Sequence, residues 1–160
     1  MKPLISNIVT AVTGTDASIL AAKYAIVMSK IYHCKLTAVY VVDTATIKQL
    51  TLSKIFIQEE AAEYEKSLEN NGKRYLAFVD ELANAKGVKI EKIIRKGAIY
   101  TEILNVADEK RADLILLGGW EKDTKTRDII GHSHREIMAS AKCSVVLVKE
   151  PDIDKIYKYA

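Results

Sequence analysis

The sequence predicts a three-layer α/β fold, in which a five-stranded parallel sheet lies between helices on both faces. Three observations carry that prediction. Short β-branched runs recur along the chain, stretches with helical spacing separate them, and the two alternate strictly as βαβαβαβαβ. Strict alternation implies parallel strands, because each parallel pair needs a crossover and a helix is the usual one.

The first strand is expected over Ile8 to Val12 and the second over Leu36 to Val42, both short, β-branched and flanked by turn signals. Between them Leu20, Tyr24, Val27, Met28 and Ile31 fall at helix spacing. Asp16 or Ser18 precedes that run and can accept from the free N–H groups of the first turn. Ile57, Ala61, Tyr64 and Leu68, then Tyr75, Phe78 and Leu82, predict a long second helix, with Asn71-Gly72 as a bend costing about 1 kcal/mol. Lys89 to Arg95 alternates charge with Val88, Ile90 and Ile93 and reads as an exposed edge strand. Ile99, Ile103, Val106 and Ala107 mark a third helix, Leu114 to Leu117 a buried strand, Ile137, Met138 and Ala141 a fourth helix, and Ser144 to Val148 the last strand.

At 160 residues, 49% hydrophobic and 28% charged, the chain has room for one globular domain, read as residues 1–150, with 151–160 as a tail that stands apart. No apolar run approaches the eighteen or so residues of a membrane span, and Met1-Lys2-Pro3 leads straight into a strand-like segment, so a cytoplasmic protein with no membrane partner is expected. A net charge of +3, from 24 basic and 21 acidic residues spread along the chain, argues against nucleic acid as a partner. Cys34 and Cys143 are too few and too far apart for a disulfide framework or a zinc site, and read as plain buried thiols.

In parallel α/β sheets ligands bind outside the carboxyl ends of the strands, where the winding reverses, so the loops after Val12, Val42, Arg95 and Leu117 matter most. A Walker-type loop is absent: Lys73 is followed by Arg74, and Ser67 stands where the first glycine would be. The dinucleotide fingerprint is absent too, since "TAVTGTDAS" carries a single glycine, Gly14. "HSHRE" brings His132, His134 and Glu136 together in sequence, but residues two apart do not share a helix face, so no metal site is expected. Ser133 between two histidines shows no base held by a third group, and no catalytic residue is assigned.

"GAIYTEILNVADEKRADLILLGG" followed by "GHSHREIMASAKCSVVLVK" resembles the carboxyl-terminal half of the universal stress protein family, whose pattern is a strand, Gly-x-x-Gly, nine residues, Gly with Ser or Thr, a helix and a short apolar strand. "NIVTAVTGTDASILAAKYAIVMSKIYHCKLTAVYVVD" resembles its first half, so the likeness covers Ser6 to Lys149. It implies an adenine nucleotide alpha hydrolase-like fold and a stress-response or regulatory module, with ATP or another adenine nucleotide as the ligand. Carried over by position, backbone groups of Val41 meet the base, Thr13 and Gly14 border the sugar, and Gly118, Gly119, Gly131, His132 and Ser133 face phosphate, their backbone donors and the following helix start supplying the cradle. Three positions depart from the family pattern. Thr13 replaces an Asp, Glu121 the middle glycine and His132 the Ser or Thr, while Lys122, Lys125 and Arg127 stand in the same loop to offset Glu121.

The resemblance also implies a homodimer built by edge pairing of the last strand through Val145, Val146, Leu147 and Val148. Two alternatives stand beside nucleotide binding. One is a dimeric interaction module that has lost the nucleotide and holds a protein partner with its long second helix. The other is a slow adenine-nucleotide hydrolase.

Overall fold

The computed structural model describes residues 2–119 and 124–160, the side chains of 124–130 aside. In chain order the elements are β1 (Asn7–Ala11), α1 (Asp16–Tyr32), β2 (Lys35–Asp43), α2 (Thr44–Leu52), α3 (Gln58–Asn84), β3 (Ile90–Gly97), α4 (Ile99–Glu109), β4 (Leu114–Gly118), α5 (Thr124–Ser140), β5 (Ser144–Val148) and α6 (Ile153–Tyr159). The sheet runs β3-β2-β1-β4-β5, all parallel, so the three-layer prediction holds and the winding reverses between β1 and β4. As expected, β3 and β5 are the edges.

Alternate side chains of the strands feed two cores. Ile8, Leu36, Leu114 and Leu116 pack against Ala21, Ala25 and Ile26 of α1 and Ala83 of α3. Val9, Ala11, Val39, Val41, Ile115 and Leu117 pack on the other face against Ile103 and Val106 of α4 and Ile137 of α5. The small buried face of α1, Ala21, Ala22 and Ala25, lets that helix lie close over the centre of the sheet. Asp113 ties the amino edge together: its Oδ2 accepts from the backbone N–H of Ser6 and of Asn7, and those two bonds hold its carboxyl below the ordinary value.

Several boundaries differ from the sequence reading. The cap of α1 is Thr15 rather than Asp16 or Ser18; its Oγ1 accepts from the Ser18 N–H at 3.2 Å. The long second helix runs unbroken through Gly72, where the missing side chain serves close packing: a Cβ there would sit 2.4 Å from the Tyr40 ring. The segment after β2 forms its own helix, α2, capped by Asp43. Residues 151–160 do not stand apart: they carry α6 (Ile153–Tyr159), which lies on α1, with Ile153 buried, Lys23 Nζ 2.6 Å from Asp154 Oδ1, and Tyr157 OH donating to Leu82 O. Cys34 is buried as expected, whereas Cys143 is only partly covered. No helix among the described residues is long and apolar enough to cross a membrane.

Among the described residues, one buried side-chain polar atom is unsatisfied. Thr10 Oγ1, on the central strand with its residue fully buried, has no hydrogen-bond partner among the described residues. Thr10→Val keeps the shape and removes the orphan hydroxyl, and is expected to stabilise the fold by about 1 kcal/mol in chemical denaturation. A loss of stability would mean that the hydroxyl is satisfied in solution.

Candidate functional site

The reversal of winding places a crevice between the carboxyl ends of β1 and β4. Its first wall is the loop from Val12 to Thr15, where hydroxyls consume backbone donors. Thr13 N–H donates to Ser18 Oγ at 3.1 Å, Ser18 N–H to Thr15 Oγ1, and Ser18 Oγ–H to Thr15 O at 3.0 Å, while Thr13 Oγ1 lies 3.0 Å from Thr15 Oγ1. Gly14 takes φ +82°, and a Cβ on it would lie 2.4 Å from the Tyr75 ring, so neither its backbone nor its space admits a side chain.

The second wall is Gly118 and Gly119. An added Cβ would lie 2.6 Å from Ala17 C at Gly118 and 2.7 Å from Val148 O at Gly119, so these glycines serve close backbone packing. His134 of α5 closes the crevice. Its imidazole is buried, only 6% exposed, and desolvation holds its pKa below the ordinary histidine value. What remains between Ala11, Thr13, Thr15, Ala17, Ser18, Gly118, Gly119 and His134 is about 10 Å³, no more than one water occupies.

Beside it lies an open pocket of about 420 Å³, lined by Asp43, Ala45, Thr46, Gln49, Ala98, Ile99, Tyr100, His132 and Ser133. It is in the size range of small-molecule sites. Asp43 is held in place by Thr46, whose N–H and Oγ1–H donate to its two carboxylate oxygens at 3.1 and 2.7 Å. The Tyr100 and His132 rings meet edge to face at 6.1 Å and form an aromatic wall. Val41 lies on the adjoining strand. Because Val39 C=O accepts from Val12 N–H, the backbone groups of Val41, two residues on, turn to the same side, past the end of β1 at Ala11.

A model of the universal stress protein family matches residues 5–149. The chain belongs to that family. Universal stress protein MJ0531 of Methanocaldococcus jannaschii is 32% identical over 148 residues, 92% of this chain and 84% of that relative. A universal stress protein family member from Burkholderia pseudomallei superposes with TM-score 0.73 at 18% identity, covering 94% of this chain and 100% of that one. An Arabidopsis thaliana family protein solved with AMP bound superposes with TM-score 0.63 at 15% identity, covering 92% and 94%. The architecture is the adenine nucleotide alpha hydrolase-like one expected of a universal stress protein.

The residues that the family pattern nominates separate into two groups. Thr13, Gly118 and Gly119 surround the filled crevice. His132 and Ser133 line the open pocket, and Gly131 is buried beside them. The expected helix start at Gly131 is not observed: α5 begins at Thr124, which puts Gly131, His132 and Ser133 within the helix, where backbone N–H groups bond along the chain. The physical reason is modest, since a glycine inside a helix costs only about 1 kcal/mol and the preceding "TKTRDII" contains no breaker. Glu121 and Lys122 lie outside the described residues, as do the side chains of Lys125 and Arg127.

The inward place of His134 and the helix α2 escaped the sequence reading, although the loop after Val42 and Asp43 were expected to border the cleft. His134 stood in a motif that drew attention to His132 and Ser133, and only packing shows which of the three faces inward. Asp43 followed by Thr46 was a usable signal, because an Asp before a run free of Gly and Pro is a common helix cap.

Proposed function

We propose that this universal stress protein is a cytoplasmic regulatory module that binds an adenine nucleoside monophosphate in the open pocket, and that it assembles as a homodimer through β5. One observation carries the ligand class: the open pocket, about 420 Å³, has room for a nucleoside, while the crevice where a longer phosphate chain would lie is filled by His134 and the Thr13, Thr15 and Ser18 hydroxyls. The AMP-bound family protein from Arabidopsis thaliana supports the same class. In this reading Val41 backbone groups meet the base, Tyr100 and His132 cover it, and Asp43 and Ser133 bond the sugar or the single phosphate's neighbourhood.

The test is calorimetric titration of ligand-stripped protein with AMP, ADP and ATP in magnesium. AMP is expected to bind more tightly than ATP, and Tyr100→Ala to weaken AMP by about tenfold, since stacking on one aromatic ring is worth roughly 1–3 kcal/mol. ATP binding more tightly than AMP would overturn the filled-crevice argument, and no binding at millimolar concentration would leave the interaction-module reading.

The homodimer rests on β5, an edge strand whose Val145, Val146 and Leu147 are half-buried, with no strand on its outer side among the described residues. A monomer at high micromolar concentration would reject it.

A further inference from the structure

The α2–α3 connection forms a tip that the sheet does not cover. Lys96, next to the last residue of β3, reaches Glu65 at 3.6 Å and Glu69 at 3.3 Å, so residues 58–64 of α3 lie beyond the carboxyl edge of the sheet. At 1.5 Å per residue that overhang is about 10 Å. The buried residues of α3 begin only at Gly72. On the tip, large apolar side chains face solvent: Leu52 is 75% exposed, Ile55 64%, Ile57 59% and Tyr64 44%. The tip nonetheless has internal order, because Phe56 packs edge-on against Tyr64 at 5.5 Å and Ile55 and Phe56 N–H groups donate to Leu50 O.

Its charges are sorted by limb. Lys48 on α2 and Lys54 just after it are exposed, and so are Glu59, Glu60 and Glu63 on α3. None of these five side chains has an ion-pair or hydrogen-bond partner among the described residues. Exposed large apolar side chains clustered on one short stretch, beside charges without partners, mark an interaction surface. Lysines on one limb and glutamates on the other, with Leu52, Ile55 and Ile57 between or beside them in the chain, make the tip complementary to itself under a two-fold rotation, which sets each lysine limb against a glutamate limb.

We infer that the α2–α3 tip is a self-association surface on which a second copy of this chain docks about a two-fold axis. The apolar residues supply the affinity, and the limb charges fix orientation and exclude other registers. The surface is separate from β5, so a β5 dimer carries two tips and associates further through them. It is separate from the nucleotide reading as well, because the association needs no ligand.

Sedimentation of the purified full chain from low to high micromolar concentration tests the inference. Leu52→Asp with Ile55→Asp is expected to lower the mass of the largest species at least twofold, with helix content by circular dichroism unchanged. The decisive comparison uses charge. A variant with Lys48→Glu and Lys54→Glu has an all-acidic rim, and one with Glu59→Lys, Glu60→Lys and Glu63→Lys an all-basic rim. Each alone is expected to associate at least about tenfold more weakly than wild type, while an equimolar mixture and the five-substitution swap recover association. A largest species indifferent to the Asp pair, or charge variants that associate like wild type and do not prefer each other, would overturn it. Loss of β5 pairing alone leaves a tip-linked pair that still responds to the charge variants, so the two failures are told apart.

Discussion

Gly118→Ala is expected to cost about 3 kcal/mol, and so to lower the melting temperature of a chain this size by about 10 °C. Gly118 has no positive φ, so conformational freedom is not the reason. The reason is contact. An added Cβ would lie 2.6 Å from Ala17 C, 2.8 Å from Ala17 O and 2.8 Å from Ser18 N, all backbone atoms of the first turn of α1. That turn is fixed by Thr15 and Ser18, and β4 is held between β1 and β5, so neither side yields cheaply. Gly87→Ala is the matched control, because Gly87 takes φ +72° with nothing within 4 Å of the added atom. Its cost is conformational alone, about 1 kcal/mol. Thermal and urea unfolding of both variants rank the two effects. A Gly118→Ala protein as stable as Gly87→Ala would show that β4 and α1 are more loosely joined, and would return Gly118 to the phosphate-cradling role that the family pattern suggests.

That contrast shows what the sequence could carry. The parallel sheet was legible because strands such as Leu36–Val42 and Leu114–Leu117 are buried on both faces, which leaves apolar runs that few other environments tolerate. The two edges were legible for the opposite reason, Lys89–Arg95 mixing charge into its run and Ser144–Val148 coming last. Gly118 and Gly119 were visible as a motif, but a glycine spared for a ligand and a glycine spared for a neighbouring helix look the same in one sequence. The outcome depends on a distance between segments a hundred residues apart. His132, Ser133 and His134 met a related limit. One helical turn faces the three of them differently, and their assignment to pocket or crevice waits on where α5 begins, at Thr124 rather than after Gly131. Asp43 and Tyr100 come together in the pocket from different crossovers, which no local pattern records.

Stability is expected to fall below about pH 6.5 through His134, and a non-titrating residue there should remove that part of the fall. Folding buries the imidazole, and desolvation lowers its pKa from the ordinary 6.5. The side chains that line the crevice with it, Thr13, Thr15 and Ser18, are uncharged and offer an imidazolium no counter-charge. The unfolded chain therefore binds a proton that the folded chain refuses. The contribution is complete above the ordinary histidine pKa and is lost as the pH falls from there toward the lowered folded-state value, with a slope approaching 1.4 kcal/mol per unit, about tenfold in the folding equilibrium. His33 and His132 are exposed and remain in the variant, so they cancel in the comparison. Asp113 also contributes, but in a separate window: its carboxyl is lowered from 3.8, so its share is lost only at more acid pH. Urea unfolding of wild type and His134→Gln at pH 7.5, 6.0 and 5.0 isolates the effect. The wild-type protein should lose more stability across that range than the variant, and parallel profiles would show that the imidazole reaches solvent and that the crevice is open, which would also readmit a triphosphate.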